Sequence, residues 1–515
     1  MVIVYNCDGG RRQGPTSTRG RARGANVNMK QTAGWNTGRT MGFKGEDMKG
    51  CRTTLVLMAF VAMMVMFIDI MLVPALQHIS SSFPDHSGWV PWILSIYLLV
   101  GAVLNPIVGK LADLYGKRKM LIVTLAIYTV GLIGCALTYG NFVCLIAFRA
   151  MQGIGLTMFP IFYGIIRDTF PKEMVPMSIG IVSAMFSIGV SIGLLGGGWI
   201  VSRFDWQYCY YITAPLFLIL IPIFYLKVKD AGIFIKGRKV DYFGAGMLSV
   251  CILSLLIALT VFEEQGSSST MVLSCLAFFI VSLVSFVYWE RRAAEPLMKL
   301  GLLTGKGAGA HVTAFLFGIS MFMLFQTLPY FLAGPEVYGG FRIEDTFDIG
   351  LIMMPMAVMG LIFGPLAGKW CRKPGNSLKV LSAGMLLFGI GDLMLIILLK
   401  AFPTELWTVV FSMSVAGIGN ALAMVSMINV VVETSPAEDF GIASGMNTMF
   451  RLIGGSIGPV LGTAILSGFV VFEAFGLKYY GFEGYVWTWA AGMLFCLAGA
   501  VSAYMLKPKA KTSEA

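Results

Sequence analysis

Apolar residues run through this chain in long stretches divided by short polar breaks. Fourteen stretches are long enough to cross a bilayer, which takes about 20 residues. They cover residues 53–76, 91–109, 120–138, 142–166, 174–201, 209–226, 242–262, 270–289, 309–333, 347–370, 378–399, 405–432, 441–470 and 485–506. They are apolar all round, without the charged face of a soluble amphipathic helix. Runs of this length must satisfy their own backbone hydrogen bonds in lipid, so helix is the expected conformation. The pattern predicts an all-α membrane protein with fourteen transmembrane helices.

A second pattern is a repeat at half length. Gly153 and Gly155 recur 264 positions on as Gly417 and Gly419. Pro171, Gly180, Gly189, Gly193 and Gly197 recur 265 positions on as Pro436, Gly445, Gly454, Gly458 and Gly462. Pro106, Gly109 and Gly116 recur 259 positions on as Pro365, Gly368 and Gly375. These offsets map spans one to six onto spans nine to fourteen and leave spans seven and eight without a counterpart. The expected organisation is a tail (1–50), a six-helix bundle (51–228), an inserted helix pair with its linkers (229–306), a second six-helix bundle (307–507) and a short tail (508–515). Many secondary transporters are built from such internal repeats.

Composition agrees: 57% of residues are hydrophobic and only 13% charged, where soluble domains carry roughly twice that charge. The net charge of +11 changes the picture through its distribution. With the N-terminus in the cytoplasm, 32 of the 38 Lys and Arg fall in cytoplasmic segments. The outer loops hold only Arg203, Arg342, Lys400 and Lys478. This is the positive-inside pattern; it predicts a cell-membrane protein with both termini cytoplasmic. The basic excess therefore reads as topology and as weak attraction to anionic lipid, and no nucleic-acid partner is expected. None of the nine cysteines forms a CxxC pair, which favours buried thiols over a disulfide framework or metal site. Residues 1–50, rich in Gly, Arg and Thr, read as a disordered basic tail, with Met29, Met41 and Met48 as alternative starts. The first apolar run outlasts a secretory signal and reads as an uncleaved span.

Chemistry concentrates in a few motifs. The loop after span two reads Gly109-Lys-Leu-Ala-Asp113-Leu-Tyr-Gly116-Lys117-Arg118-Lys119. Its glycines permit close helix approach and a tight turn. Asp113 can pair with Arg118 or cap a neighbouring helix N-terminus, forming a charged latch that breaks as two bundles rock. This segment resembles the hallmark loop of the major facilitator superfamily, departing at Leu114, where the family often has a basic residue. Phe67-Ile-Asp69-Ile-Met-Leu-Val-Pro74-Ala-Leu in span one resembles the first-span motif of the fourteen-span drug:proton antiporters. Arg149-Ala-Met-Gln152-Gly153-Ile-Gly155 resembles the superfamily's span-four motif, and Glu295-Pro296-Leu297-Met298-Lys299-Leu300 resembles a linker of the same fourteen-span group. Gly189, Gly193, Gly197 and Gly198 in span five resemble the antiporter motif, with Leu194 where the family carries Pro; the second copy, Gly454, Gly458, Pro459 and Gly462, keeps the Pro. Glycines four apart make a smooth face for helix packing, a role they can fill without bearing on transport direction.

Two charges lie within spans of the first half. Asp69 falls about midway along span one, where an ionised carboxylate is costly unless paired or hydrated. Burial of a carboxyl group favours its neutral form, which suits a group that loads and unloads a proton. Arg149 stays charged and can act as the electrostatic partner of that step, or snorkel to a membrane face. Their repeat equivalents are Leu328 and Met413, so the scaffold does not demand either charge; a structural hydrogen bond is the alternative role for Asp69. Arg451, Asp392 and Glu433 are weaker candidates, and Asp168 is expected to form a solvated pair with Arg167. Among the polar side chains within spans, Tyr97, Asn105, Gln152, Gln326, Asn420 and Asn447 are candidates to line a central cavity.

Together with the resemblance, these features predict a proton-coupled secondary transporter that exports hydrophobic compounds by alternating access. Its expected partners are a small-molecule substrate, protons and lipid, with no obligate protein partner. No GxxxxGK[ST] loop is present, so the proton gradient is the expected energy source and no cofactor is implied. A symporter or exporter of an organic anion, lipid or metabolite is the alternative. A membrane-embedded enzyme would need a cluster of catalytic side chains that the sequence does not display.

Overall fold

The computed structural model describes residues 45–505, apart from 139, 172–173, 229–240, 266–268, 294–295, 297–307, 372–374, 435–439 and 475–476. The predicted C-terminal tail, residues 1–44 of the predicted N-terminal tail and much of the linkers around the inserted pair lie outside these residues, while residues 45–50, expected in the disordered tail, form the start of the first helix. Sixteen helices follow one another: α1 (Gly45–Ile70), α2 (Leu76–Ser82), α3 (Trp92–Tyr115), α4 (Lys117–Leu137), α5 (Phe142–Gln152), α6 (Met158–Thr169), α7 (Val175–Val201), α8 (Tyr208–Lys227), α9 (Tyr242–Gln265), α10 (Thr270–Glu290), α11 (Ala308–Ala333), α12 (Thr346–Cys371), α13 (Ser377–Ala401), α14 (Trp407–Thr434), α15 (Phe440–Ser467) and α16 (Phe482–Met505). A hairpin of β1 (Val470–Ala474) and β2 (Leu477–Tyr480) joins the last two helices.

Each of the fourteen apolar stretches falls on helix. Among the described residues, twelve helices are long and apolar enough to cross a membrane, while α3 and α7 carry shorter apolar stretches, Trp92–Asn105 and Ile188–Val201. The chain is a multi-pass membrane protein.

Three features depart from the sequence reading. The first span is not one helix to residue 76. α1 stops at Ile70, the chain turns through Met71–Ala75, and α2 resumes at Leu76. Pro74 lies in that turn, where it has no N–H to continue the ladder and its ring restricts the residue before it. The fourth span is likewise broken: a 3₁₀ segment, Gly153–Thr157, separates α5 from α6. A Cβ at Gly153 would come within 2.8 Å of Val100 Cβ and one at Gly155 within 2.6 Å of the Tyr128 ring, so the segment lies tight against α3 and α4. The third departure is the hairpin, whose residues Val470 and Phe472 had read as the end of a span and the start of a loop.

Packing repeats with the sequence. α1 lies against α7 as α11 lies against α15, and α4 against α8 as α13 against α16. The halves meet crosswise, α3 on α15 and α7 on α12. Of the inserted pair, α9 packs on α15 and α3, with the Trp92 indole donating to Thr260 Oγ1 at 2.9 Å. α10 packs mainly on α9 and leaves most of its surface exposed.

Candidate functional site

The break after α1 creates the site. A helix that ends inside the protein leaves carbonyls of its last turn without partners. Asp69 is the penultimate residue of α1, so it sits at a helix end and not midway along a span. Its carbonyl accepts from Arg149 Nη2 at 3.2 Å. The same guanidinium donates through Nε to the Ile93 carbonyl at 3.1 Å and through Nη1 to Gln152 Oε1 at 2.6 Å. Its face rests on the Tyr97 ring, with Cζ 4.6 Å from the centroid, a favourable cation–π geometry. Gln152 passes the network on, donating to the Gly131 carbonyl at 3.2 Å and to Cys135 Sγ at 3.1 Å. Arg149, fully buried, thus ties α1, α3 and α5 together, and Gln152 adds α4.

The Asp69 carboxyl stands apart from this network. It is 1% exposed, and neither oxygen has a donor in hydrogen-bonding geometry. Arg149 acts on it by charge, and the Tyr97 hydroxyl is the nearby donor, outside strict hydrogen-bonding geometry. The buried hydroxyls of Tyr128 and Tyr210 lie near the same network, also without hydrogen-bond partners. Sequence reasoning missed Tyr128, Tyr210 and Cys135, because nothing along the chain marks which residues of α4 and α8 turn inward.

Arg451 approaches from the other half. It lies on α15, which packs on α3, and stands within electrostatic reach of Tyr97 and of Tyr163 on α6. One turn further, a Cβ at Gly455 would meet Leu98 of α3 at 3.2 Å, which sets this face of α15 against the first bundle. An arginine at the middle of a membrane helix costs about 2.5–3.5 kcal/mol on insertion scales. Tyr97 therefore stands between two guanidinium groups, one from each half.

The motif loop ties helices within the first bundle. Gly116 separates α3 from α4 at φ +97°, a conformation that favours glycine. Lys117 forms an ion pair of 2.7 Å with Asp168 of α6, both largely buried. Asp168 is thus held by α4 in a largely buried pair, and the side chain of Arg167, its expected partner, lies outside the described residues. Arg118 donates to the Tyr225 carbonyl of α8 and lies 5.0 Å over the Tyr225 ring. Asp113 lies on α3, but its side chain falls outside the described residues. Gly109 makes no close approach: a Cβ there would meet nothing within 4 Å.

The glycine ridges do close the helices. A Cβ at Gly193 would come 2.8 Å from the Phe67 carbonyl oxygen, and Gly189 and Gly197 press on Met63 and Met71, all on α1 or its terminal turn. Gly454 and Gly458 press on Phe315 and Ile319 of α11, and Gly462 on Met323. Gly198 instead faces the other half: a Cβ there would lie 2.9 Å from Phe347 Cα, and its carbonyl accepts from Thr346 Oγ1 at 3.0 Å. By contrast Gly109, Gly360, Gly364 and Gly445, toward the opposite ends of their helices, have nothing within 4 Å. The two halves are therefore pressed together at Gly198.

The remaining polar candidates divide. Gln152 belongs to the Arg149 network, and Asn447 donates to the Ala310 carbonyl at 2.8 Å within its own bundle. Asn105 Nδ2, Gln326 Oε1 and Asn420 Oδ1 are buried without hydrogen-bond partners. Asp392, 1% exposed, accepts from Ser320 Oγ at 3.3 Å inside the second bundle, where Cys496 Sγ also meets Ser320. Glu433 accepts from Ser377 Oγ at 2.6 Å.

Comparison with known proteins places this geometry. The Major Facilitator Superfamily model matches residues 55–379 and 310–515. Multidrug transporter protein MdtP of Bacillus subtilis is 28% identical over 379 residues, covering 73% of this chain and 68% of that protein. The tetracenomycin C resistance and export protein of Streptomyces glaucescens is 30% identical over 404 residues, covering 76% and 71%. Among solved structures, an auto-inhibited POT family peptide transporter superposes with a TM-score of 0.61 at 13% identity, over 88% of this chain and 97% of the other.

Proposed function

The chain belongs to the Major Facilitator Superfamily, and from that premise we propose that it is a proton-coupled secondary transporter exporting hydrophobic compounds from the cell. It is a transporter and not an enzyme. The names of its relatives, multidrug transport and tetracenomycin export, support the substrate class. In this reading all fourteen long helical spans cross the cell membrane, both termini are cytoplasmic, and the chain is a drug:proton antiporter of the fourteen-span group. The proton gradient supplies the energy, with no cofactor.

One observation carries the coupling: the Asp69 carboxyl is buried, without a donor in hydrogen-bonding geometry, beside a guanidinium that is committed elsewhere. An unpaired buried carboxylate is costly, and taking up a proton removes that cost. Proton occupancy at Asp69 can therefore bias how α1 and α3 sit against the second half. With the termini cytoplasmic, the Gly116 end faces the cytoplasm and the closed Gly198 end faces outward. In this reading alternating access closes one end while opening the other.

The test is reconstitution in liposomes. With an imposed gradient of about two pH units, one-to-one exchange can support up to roughly 100-fold accumulation, each unit being about tenfold. A lipophilic dye should accumulate when the gradient is imposed and run down when an ionophore collapses it. Dye movement indifferent to the gradient contradicts proton coupling.

A further inference from the structure

Three charged side chains stand around Tyr97 of α3: Asp69, Arg149 and, from α15, Arg451. They sum to one positive charge. Arg149 is saturated, its three nitrogens donating to Ile93, Gln152 and Asp69 and its face covered by Tyr97. Arg451 is not. Among the described residues it forms neither a hydrogen bond nor an ion pair, and the residue is mostly but not fully buried. Asp69 is not among the groups that act on Arg451. Asp392 is engaged by Ser320, and Glu433 by Ser377. No described carboxylate neutralises Arg451.

Nor does the scaffold require it. The position 265 residues earlier, where the repeat places its equivalent, is Phe186. The second copy thus keeps a cation at the junction of the halves where the first copy has an apolar ring. Two phenols, Tyr97 and Tyr163, lie within electrostatic reach of it. Phenol rings offer an apolar wall and a hydroxyl at its edge. A planar guanidinium with free donors beside such a wall matches a flat organic body that ends in an oxyanion.

We infer that Arg451 is the anion-binding residue of the substrate site, and that the compounds carried are amphipathic organic anions presenting a carboxylate, sulfonate or phosphate. The inference rests on the transport function proposed above and names its substrate class. Tyr97 would then sense both events, substrate at Arg451 and the proton at Asp69.

The probes are a matched pair, pyrene-1-sulfonate and pyrene-1-methylammonium, which share a ring and differ in charge. Binding to the purified full chain is measured without any gradient, so that it stands independently of proton coupling. The expected result is preference for the sulfonate by about 10-fold or more, the order of one charge-assisted hydrogen bond. Arg451→Gln should abolish that preference while leaving affinity for neutral 1-hydroxypyrene unchanged. Arg451→Lys should keep part of it, having the charge without the fork. Equal binding of the two probes, or preference for the ammonium, overturns the inference, as does an Arg451→Gln variant that retains the sulfonate preference. If Arg451→Gln fails to fold, the preference of the unmutated protein and the Arg451→Lys result decide. Selective sulfonate binding without gradient-driven transport would leave this inference standing and remove proton coupling.

Discussion

Arg149 shows how one residue can set the character of a site. It caps the broken end of α1, reaches a carbonyl of α3 and orients Gln152, and in doing so it leaves the Asp69 carboxyl bare. Lysine has three donors but no planar fork, and its compact ammonium cannot span the three acceptors that the guanidinium reaches. Arg149→Lys should destabilise the purified protein by about 2–4 kcal/mol, read by thermal unfolding in detergent; an unchanged transition would mean that the network carries no stability. Asp392 provides the control for Asp69. It is as deeply buried, but it is held by Ser320 within the second bundle. Asp392→Asn preserves the shape and the hydrogen bond, so gradient-driven transport should survive it within about threefold, a change under roughly 1 kcal/mol. Loss of coupling in that variant would move the proton site to the second half. At this scale the sequence named both Asp69 and Arg149, because charge within an apolar run is visible without a structure. It could not show that Arg149 binds the Asp69 backbone and not its carboxylate, since that depends on a helix break.

Among the elements, glycine separates two kinds of position that look alike along the chain. Gly193 and Gly458 lie under the backbone of a neighbouring helix, and Gly109 and Gly445 face open space. Gly193→Leu and Gly458→Leu should each cost about 1–3 kcal/mol by forcing helices apart. Gly109→Ala and Gly445→Ala should be neutral or stabilising by up to about 1 kcal/mol, alanine being the better helix former. Thermal unfolding of the four variants checks the division; a destabilised Gly109→Ala would show that its helix is tightly packed in solution. The helices themselves were legible as apolar runs. The breaks were not: Pro74 and the Gly153–Gly155 pair lie inside runs that stay apolar across them, and hydropathy does not register a turn that is buried. The hairpin was missed because Val470–Phe472 continues the apolar run of α15, although its strands pair through Glu473 and Lys478.

For the whole molecule, the repeat in sequence reappears as a repeat in packing. Equivalent helices pair within each half, and the halves meet through two equivalent seams, α3 with α15 and α7 with α12. Glycine and proline recur because both halves need the same close crossings. The charges do not recur. Asp69 and Arg149 belong to the first half and Arg451 to the second, so a symmetric scaffold holds an asymmetric site at one of its two seams. α9 lies along that same seam, donor and acceptor meeting at Trp92 and Thr260. In the proposed alternating access, rocking of the halves would move Arg451 relative to Tyr97, and a proton at Asp69 would act on the same tyrosine. The most direct test of this account compares the unmutated protein with Asp69→Asn in liposomes bearing an imposed pH gradient. The account predicts that Asp69→Asn loses gradient-driven accumulation while still exchanging labelled for unlabelled substrate across the membrane. Accumulation that persists undiminished in Asp69→Asn would contradict it.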